Sequence, residues 1–430
     1  MSTTVLIRDA LVVPGDGASA PFTGWVEITG ARISGAGAGA APAAAPGARV
    51  IDAMGCALLP GLVNTHAHSH SSLTRGTAES VALDRWIATI EREQSRLTDE
   101  DAYVAALATY GEMLLSGTTT VLDMCLRPEP AMRAAEAIGM RVAVAPYVLD
   151  RAAFAPKLPA VRDLLGRHGA SKGLVNLWVG LHDLEGCADD TIAAGAQLAR
   201  DFGTGLHLHC AETRGSVERT RGRTGRTPIA QLGALNALGP ATVLAHCVWA
   251  DEADQVLLAA GGTTVAHCPH ANLKLASGFA PVPAMHDAGV RVTLATDGAK
   301  ANNRLDMFDV MKFASLIHKG TRLDPAVLPA PGILRMATQD GAQALGIEAG
   351  AIAAGRLADL TLVDLNRFHL QPATPETVRT NLVHAARGSD VRMVLVNGEV
   401  VVEDGRLVRI DAAATLAAMQ AAGRRLMAAS

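Results

Sequence analysis

The chain has 430 residues, is 49% hydrophobic and 19% charged, and carries a formal charge of −4. That length and apolar content fit one large α/β domain plus a small extra one. The near-neutral balance gives no electrostatic case for nucleic acid or an anionic membrane, and no apolar run is long enough to cross a bilayer. The one basic cluster, Arg214, Arg219, Arg221, Arg223 and Arg226, reads as a solvated loop and not as an anion site.

In chain order, residues 1–57 read as short strands and turns. Val5-Leu6-Ile7 and Trp25-Val26-Glu27-Ile28 are the strand candidates, and the Ala/Gly/Pro-rich stretch 35–47 is expected to be a loop. Arg8 and Asp9 interrupt the first apolar run, so no signal peptide is expected. From Leu58 strands alternate with helices. Strands are predicted over Leu58–Asn64, Thr118–Asp123, Arg141–Tyr147, Leu174–Leu181, Gly205–His209, Thr242–His246, Thr263–His267 and Arg291–Thr296. Asp101–Leu115 and Asp251–Ala260 are the clearest helices between them. Eight strands in this alternation predict an α/β fold, a closed (β/α)8 TIM barrel over 58–354. No G-x-G-x-x-G follows any strand, which argues against a doubly wound open sheet. After Gly355 strands return, at Leu357–Val363 and Met393–Val396. Residues 1–57 and 355–410 are expected to pair as a small β-sandwich beside the barrel, with a C-terminal helix over 411–430. The six cysteines form no C-x-x-C pair and several sit in predicted strands, so reduced thiols in a cytoplasmic protein are expected.

The chemistry concentrates where apolar runs give way to polar, Gly-rich ones, the strand-to-loop junctions at which parallel barrels keep their active sites. His66 and His68 are two apart, so a strand would turn both imidazoles to one side. Leu206-His207-Leu208-His209 is a second alternating strand. Either histidine can ligate, and His209 is preferred as nearer the strand's end. Glu212 follows one short turn later, placed as an acid/base. Asp297 follows the run Val292–Thr296. On its own it would be a turn or cap residue; with three imidazoles elsewhere it reads as a ligand. On spacing alone, His246 and His267 are each open between a core histidine and a site histidine. Three imidazoles and a carboxylate suit Zn²⁺ or Fe²⁺.

The stretches PGLVNTHAHSH (60–70), SGTTTVLDM (116–124), HLHCAET (207–213), LAHCVW (244–249), HCPHANLKLASGFAPVPAM (267–285), TDGAKANNRLDM (296–307), GRLADLTLVD (355–364) and VRMVLVNGEVVVEDGRL (391–407) resemble the amidohydrolase superfamily. The branch is that of the S-adenosylhomocysteine/methylthioadenosine deaminases and triazine hydrolases, and the likeness spans nearly the whole chain. It implies a barrel flanked by a β-sandwich, with one divalent metal, zinc or else iron. By match, His66, His68, His209 and Asp297 would be its ligands. Glu212 and His246 would join Asp297 in catalysis. His182 would contact substrate, and Trp86 and His270 are placed with it. Two-metal members carry a lysine on the fourth strand. Here that strand reads Trp178-Val179-Gly180-Leu181-His182, so one metal is implied.

Two departures from the branch stand out. Asp183-Leu184-Glu185 replaces a neutral stretch after His182. Gln94, with Glu93 beside it, stands near the place of an acid that holds ribose hydroxyls. Together they predict that Asp183 and Glu185 line the pocket, favour an amine- or amidine-bearing substrate and select against adenosine-type ones.

The activity implied is hydrolytic deamination of an amino-substituted N-heterocycle, whether purine, pterin, pyrimidine or triazine. Activated water attacks the amine-bearing carbon, Glu212 protonates the ring and ammonia leaves. The rival is an amidohydrolase of the same mononuclear site with another leaving group: a cyclic amide, an alkylamine or halide. A metal-binding protein without catalysis is disfavoured by Glu212 and His246. The partners expected are a small heterocyclic substrate and further copies of the chain, as a dimer or larger.

Overall fold

The computed structural model describes residues 4–81 and 83–428, with the side chains of 83–88 and of 172 outside that description. Five strands open the chain: β1 (Thr4–Val12), β2 (Phe22–Thr29), β3 (Arg32–Ala38), β4 (Arg49–Asp52) and β5 (Cys56–Pro60). The charged pair that breaks the first apolar run is a bulge. Register shifts between Ile7 and Ala10, with Asp9 at φ 60°, so the strand keeps its apolar residues inward on both sides of it. β3 runs into the stretch expected to be a loop, which begins only at Gly39.

The run predicted as one strand over Leu58–Asn64 is two. β5 ends at Pro60, and β6 (Leu62–Ala67) starts after Gly61. A Cβ on Gly61 would stand 2.1 Å from Thr119 Oγ1, so only glycine lets the chain cross there. An uninterrupted apolar run carries no sign of this change of sheet.

The barrel follows with β6, β7 (Thr118–Cys125), β8 (Arg141–Pro146), the short edge strand β9 (Ser171–Lys172), β10 (Val175–Leu177) continued by β11 (Val179–Gly180), β12 (Leu206–Cys210), β13 (Thr242–His246), β14 (Thr264–His267) and β15 (Val292–Leu294). Ser171–Lys172 pairs antiparallel on the flank; the others pair in parallel, in chain order. Counting β10 and β11 as one staves strand, eight strands close the barrel. The fourth breaks at Trp178, whose ring fills the interior above Gly205; a Cβ on Gly205 would lie 2.4 Å from it. The seam between last and first strands is closed by Asp297 N on His66 O (3.0 Å) and by Thr296 N on Asn64 Oδ1 (3.1 Å). Between strands, the helix Asp99–Leu115 begins in a capping box made by Thr98 and Asp101, and Glu252–Gly261 in one made by Asp251 and Asp254.

The chain ends with β16 (Leu360–Asp364), β17 (Val391–Val396), β18 (Glu399–Glu403), β19 (Arg406–Leu407) and a helix, Ala412–Met427. β16 pairs with β5, so the two ends of the chain meet in one nine-stranded sheet. That sheet curls over a single apolar cluster with Ile7, Ile28, Leu58, Leu362 and Leu395 at its heart, which is how the expected small sandwich is built. Arg141 on β8 reaches across to Asp359 with two bonds of 2.7 and 3.1 Å, a buried ion pair joining barrel to sheet.

All six cysteines, each among the described residues, are buried free thiols. No helix of the described residues is long and apolar enough to cross a membrane.

Candidate metal centre and active-site cavity

The strand exits at one end of the barrel bring the predicted residues together. Ala211, His246 and Asp297 all take positive φ there, at 46°, 73° and 62°. Such backbone is uncommon for residues other than glycine, and these turns aim the side chains inward.

The ring nitrogens can be assigned from what each one touches. His68 Nδ1 lies 2.8 Å from the Met124 carbonyl oxygen and His209 Nδ1 2.7 Å from that of His182. A carbonyl only accepts, so both Nδ1 atoms carry the proton. Burial, with the neighbouring imidazoles, holds His66, His68 and His209 well below the ordinary histidine pKa, so the rings are neutral. Each Nε2 is then a bare lone pair, yet His68 Nε2 and His209 Nε2 stand 3.1 Å apart. No proton lies between them to make a hydrogen bond.

His66 reaches the same state through a relay. His207 Nδ1 donates to the Val243 carbonyl (2.8 Å), so its Nε2 accepts from His66 Nδ1 (2.8 Å). Among the described residues, His66 Nε2 is left buried with no hydrogen-bond partner. A buried acceptor of this kind costs about 1–3 kcal/mol unless something binds it. Asp297 Oδ1 lies 3.7 Å from both His66 Nε2 and His68 Nε2. Burial pushes the Asp297 carboxyl up to about 6, against the pull of His246 and the Gly298 N–H. Three bare nitrogens and a carboxylate converge, and each imidazole is oriented by a partner on its other nitrogen, as metal-ligating histidines are. The donor set fits a borderline divalent cation. His207, read from sequence as a satisfied buried histidine, is the partner that orients His66.

Beside this centre lies a cavity of about 380 Å³ lined by His68, His182, His209, Glu212, His246 and Asp297, among others. Ser277 Oγ donates to Glu212 Oε1 (3.4 Å), and Glu212 Oε2 stands 3.9 Å from His246 Nε2. His246 Nδ1 is 2.8 Å from Asn272 Oδ1. With Nδ1 taken up by Asn272, His246 presents Nε2 to the cavity. Asn272 and Ser277 were not singled out in the sequence; both lie in the 267–285 stretch, and no spacing marks them. His70 lines the cavity, with Gln94 Nε2 3.0 Å from its Nε2. His267 lies deeper, buried against His318 with the two Nε2 atoms 3.1 Å apart.

The remaining substrate-contact residues separate. His182 faces the cavity, and its Nδ1 lies 2.9 Å from Asp183 Oδ2. Burial would lower the His182 pKa, but the Asp183 carboxylate outweighs it and holds the ring above its ordinary value. His270 stacks on Phe313 with ring centroids 4.3 Å apart and is not among the residues lining the cavity. Trp86 falls in the helix Leu83–Gln94, and its side chain is outside the described residues. Asp183 and Glu185 do line the cavity, but the chain's own donors occupy both. Asp183 Oδ1 accepts from the backbone N–H groups of Glu185 and Gly186. Glu185 takes both nitrogens of a bidentate Arg219 fork at 3.0 Å. Each carboxylate thus already accepts two hydrogen bonds from the chain itself, so its charge is no ground for excluding adenosine-type substrates. The basic cluster is likewise committed, and four of its five arginines sit on a helix, Arg214–Thr224, where a loop was expected. Arg223 pairs with Asp189 and Arg214 with Glu218.

A closed barrel with a His-rich candidate metal site at the carboxyl ends of its strands is the layout of a barrel hydrolase. The chain belongs to the amidohydrolase family, whose sequence model it matches over residues 57–401. It is 40% identical over 414 residues to a 5-methylthioadenosine/S-adenosylhomocysteine deaminase of Moorella thermoacetica, covering 95% of this chain and 96% of that one. It is 37% identical to a 5'-deoxyadenosine deaminase of Methanosarcina mazei, covering 88% of each. Among solved structures it is similar to an adenosine deaminase from Xanthomonas campestris with bound zinc, with a TM-score of 0.94, 29% identity and 99% of each chain covered.

Proposed function

We propose that the protein is a metal-dependent hydrolytic deaminase of an amino-substituted N-heterocycle, and that its substrate is an adenine nucleoside. His66, His68, His209 and Asp297 would hold one divalent ion, zinc. The observation that carries this reading is the set of three bare, buried imidazole nitrogens beside Asp297, one of them without any hydrogen-bond partner. The substrate class is supported by relatives named as deaminases of methylthioadenosine, S-adenosylhomocysteine and 5'-deoxyadenosine.

When bound, the ion lowers the pKa of water from about 15.7 toward about 7 and so supplies hydroxide at neutral pH. The chain's own residues handle the protons. Asp297 takes one from the attacking water. His246 Nε2 accepts a hydrogen bond from that water and orients it. Glu212 gives a proton to the ring nitrogen next to the amine-bearing carbon, which draws electron density from that carbon. It takes one back from the new hydroxyl as the carbonyl forms, while Asp297 passes the proton it took to the amine, which leaves as ammonia. His182, held by Asp183, presents its other nitrogen to the heterocycle. The protein is read as cytoplasmic on its unpaired thiols, as a dimer or larger, and as two units: a barrel, and a sheet built from both ends of the chain.

The test is ammonia release from 5'-methylthioadenosine, S-adenosylhomocysteine, 5'-deoxyadenosine and adenosine, with amino-pterins and amino-triazines alongside, by protein loaded with one equivalent of zinc. Turnover of at least one nucleoside is expected. Halide or alkylamine release from triazines, with no ammonia from any nucleoside, would replace this reading with the rival one.

A further inference from the structure

Glu212 leaves the barrel after β12, and His246 and Trp249 leave it at the neighbouring exit of β13. The segment that joins them comes from the next exit, after β14. Ser277 Oγ, on that segment, donates to Glu212 Oε1 (3.4 Å). The Ser277 carbonyl accepts from the Trp249 indole Nε1 (2.8 Å). The Trp249 backbone N–H in turn donates to the carbonyl of Ala211, the residue before Glu212 (3.0 Å). Four residues thus close a ring: Glu212 to Ser277, Ser277 to Trp249, Trp249 to Ala211, and back along the chain to Glu212.

A lone hydrogen bond of 3.4 Å is long, and by itself it would hold a carboxylate loosely. The rest of the ring fixes where the serine stands. Its backbone N–H donates to the Asn272 carbonyl (2.7 Å), and Asn272 is the buried residue whose side chain meets His246 Nδ1. Gly278 follows at φ 120°, a backbone that other residues rarely adopt, and a Cβ there would crowd Val248 Cγ1 at 3.2 Å. Ser277 itself is buried, which shields its hydroxyl from bulk water. Trp249 is 42% exposed and has the look of a surface aromatic, yet both of its nitrogens bond inside this ring.

Glu212 has two proton transfers to make, one to the ring nitrogen and one from the new hydroxyl. One of its oxygens must therefore face the substrate throughout. The last torsion of a glutamate is broad and nearly two-fold, so an unheld carboxylate presents either oxygen and loses alignment at the transition state. A donor on Oε1 leaves Oε2, the oxygen 3.9 Å from His246 Nε2, for the work.

We propose that Ser277 and Trp249 are positioning residues for the acid/base: their hydrogen-bonded ring commits Glu212 Oε1 and leaves Oε2 to move protons. This rests on the deaminase reading above and deepens it, because it divides the work between two oxygens of one carboxylate and gives a surface tryptophan a part in turnover.

The experiment measures kcat and KM for ammonia release from the nucleoside that the zinc-loaded wild type turns over fastest. The variants are Ser277→Ala, Ser277→Thr, Trp249→Phe, the double Ser277→Ala/Trp249→Phe, and Ser277→Ala on a Glu212→Gln background. Ser277→Ala should lower kcat about tenfold with KM held within about twofold, and Ser277→Thr, which restores the hydroxyl, should recover most of the loss. Trp249→Phe keeps the aromatic bulk without the N–H and should lower kcat about threefold; it carries the test if Ser277→Ala fails to fold. The double variant should be no slower than Ser277→Ala alone, because Trp249 acts through Ser277. Once Glu212 is Gln, Ser277→Ala should cost little more. Zinc content should match the wild type throughout. A merely structural role would lower the melting temperature and leave kcat below the melt unchanged. That outcome, additive losses in the double variant, zinc loss, or a full further loss on the Glu212→Gln background overturns the ring and leaves the deaminase reading standing. A wild type that releases ammonia from no nucleoside overturns both.

Discussion

Ile7, Ile28, Leu58 and Leu362 in the terminal sheet are each 0% exposed; so are Asn64, His66 and His207 at the mouth of the barrel. Burial is equal and its consequences differ. In the sheet it removes hydrocarbon from water and stabilises the fold directly. At the mouth it strips water from imidazoles and an amide, and each then needs a partner. For four of these rings the protein supplies one, through Val243 for His207, His207 for His66, Met124 for His68 and the His182 carbonyl for His209. His66 Nε2 is where that chain of partners stops. Cost left unmet inside a well-packed molecule marks the place where a ligand belongs.

The comparison is broken most severely by removing the metal. Chelation, or His68→Ala, should abolish activity and lower the melting temperature, with zinc restoring both in the chelated wild type; elemental analysis and a thermal melt read it. Two equivalents of metal at full activity would rule out the mononuclear site. Next comes Glu212→Gln, which should retain zinc and lose about 10²–10⁴-fold in kcat; unchanged turnover would make Glu212 structural. Asp359→Ala addresses the junction of the two regions. It leaves Arg141 buried without its partner and should destabilise the fold by about 3–5 kcal/mol in denaturant titration. Turnover below the melt should stay near wild type, and an equal loss of activity would show that the sheet shapes the site.

The smallest effect belongs to Asp183. Burial would raise its pKa, but His182 and the two backbone N–H groups hold it down to about 2. A depressed carboxyl stabilises the fold above its unfolded pKa, near 3.8, and that contribution fades as pH falls through about 2. Asp183→Asn should therefore melt earlier than wild type at pH 7, with the gap narrowing under strong acid. A constant gap would sink the assignment.

Much of this was legible because strands and helices write their periods into the sequence. Seven of the eight barrel strands fall where alternation and apolar runs predict them, and Thr242–His246 matches residue for residue. His66, His68, His209 and Asp297 stood out because polar residues ending apolar runs have few structural reasons to be there. What remained hidden depends on contacts between distant segments. The change of sheet at Gly61 is set by Thr119, and the commitment of Glu185 by Arg219. Leu426 sits in an Ala-rich helix whose pattern says only that one face is buried, and nothing in it names the cavity that the face meets. Nothing in the sequence puts Lys300 beside Glu93, yet the fold sets them 2.6 Å apart.

One consequence of the shared sheet concerns time. Leu360 pairs with Pro60, and β5, alone of the first five strands, takes its second partner from a strand made late, β16. During synthesis, every barrel strand emerges before β16 to β19 exist. Until then β6, which carries His66, is anchored at Gly61 to a half-sheet with an unpaired edge. Contacts so far apart in sequence form slowly, and exposed strand edges in partly folded chains invite aggregation. Docking of the final strands covers that edge, and slow docking is the stage at which overproduced protein would be lost.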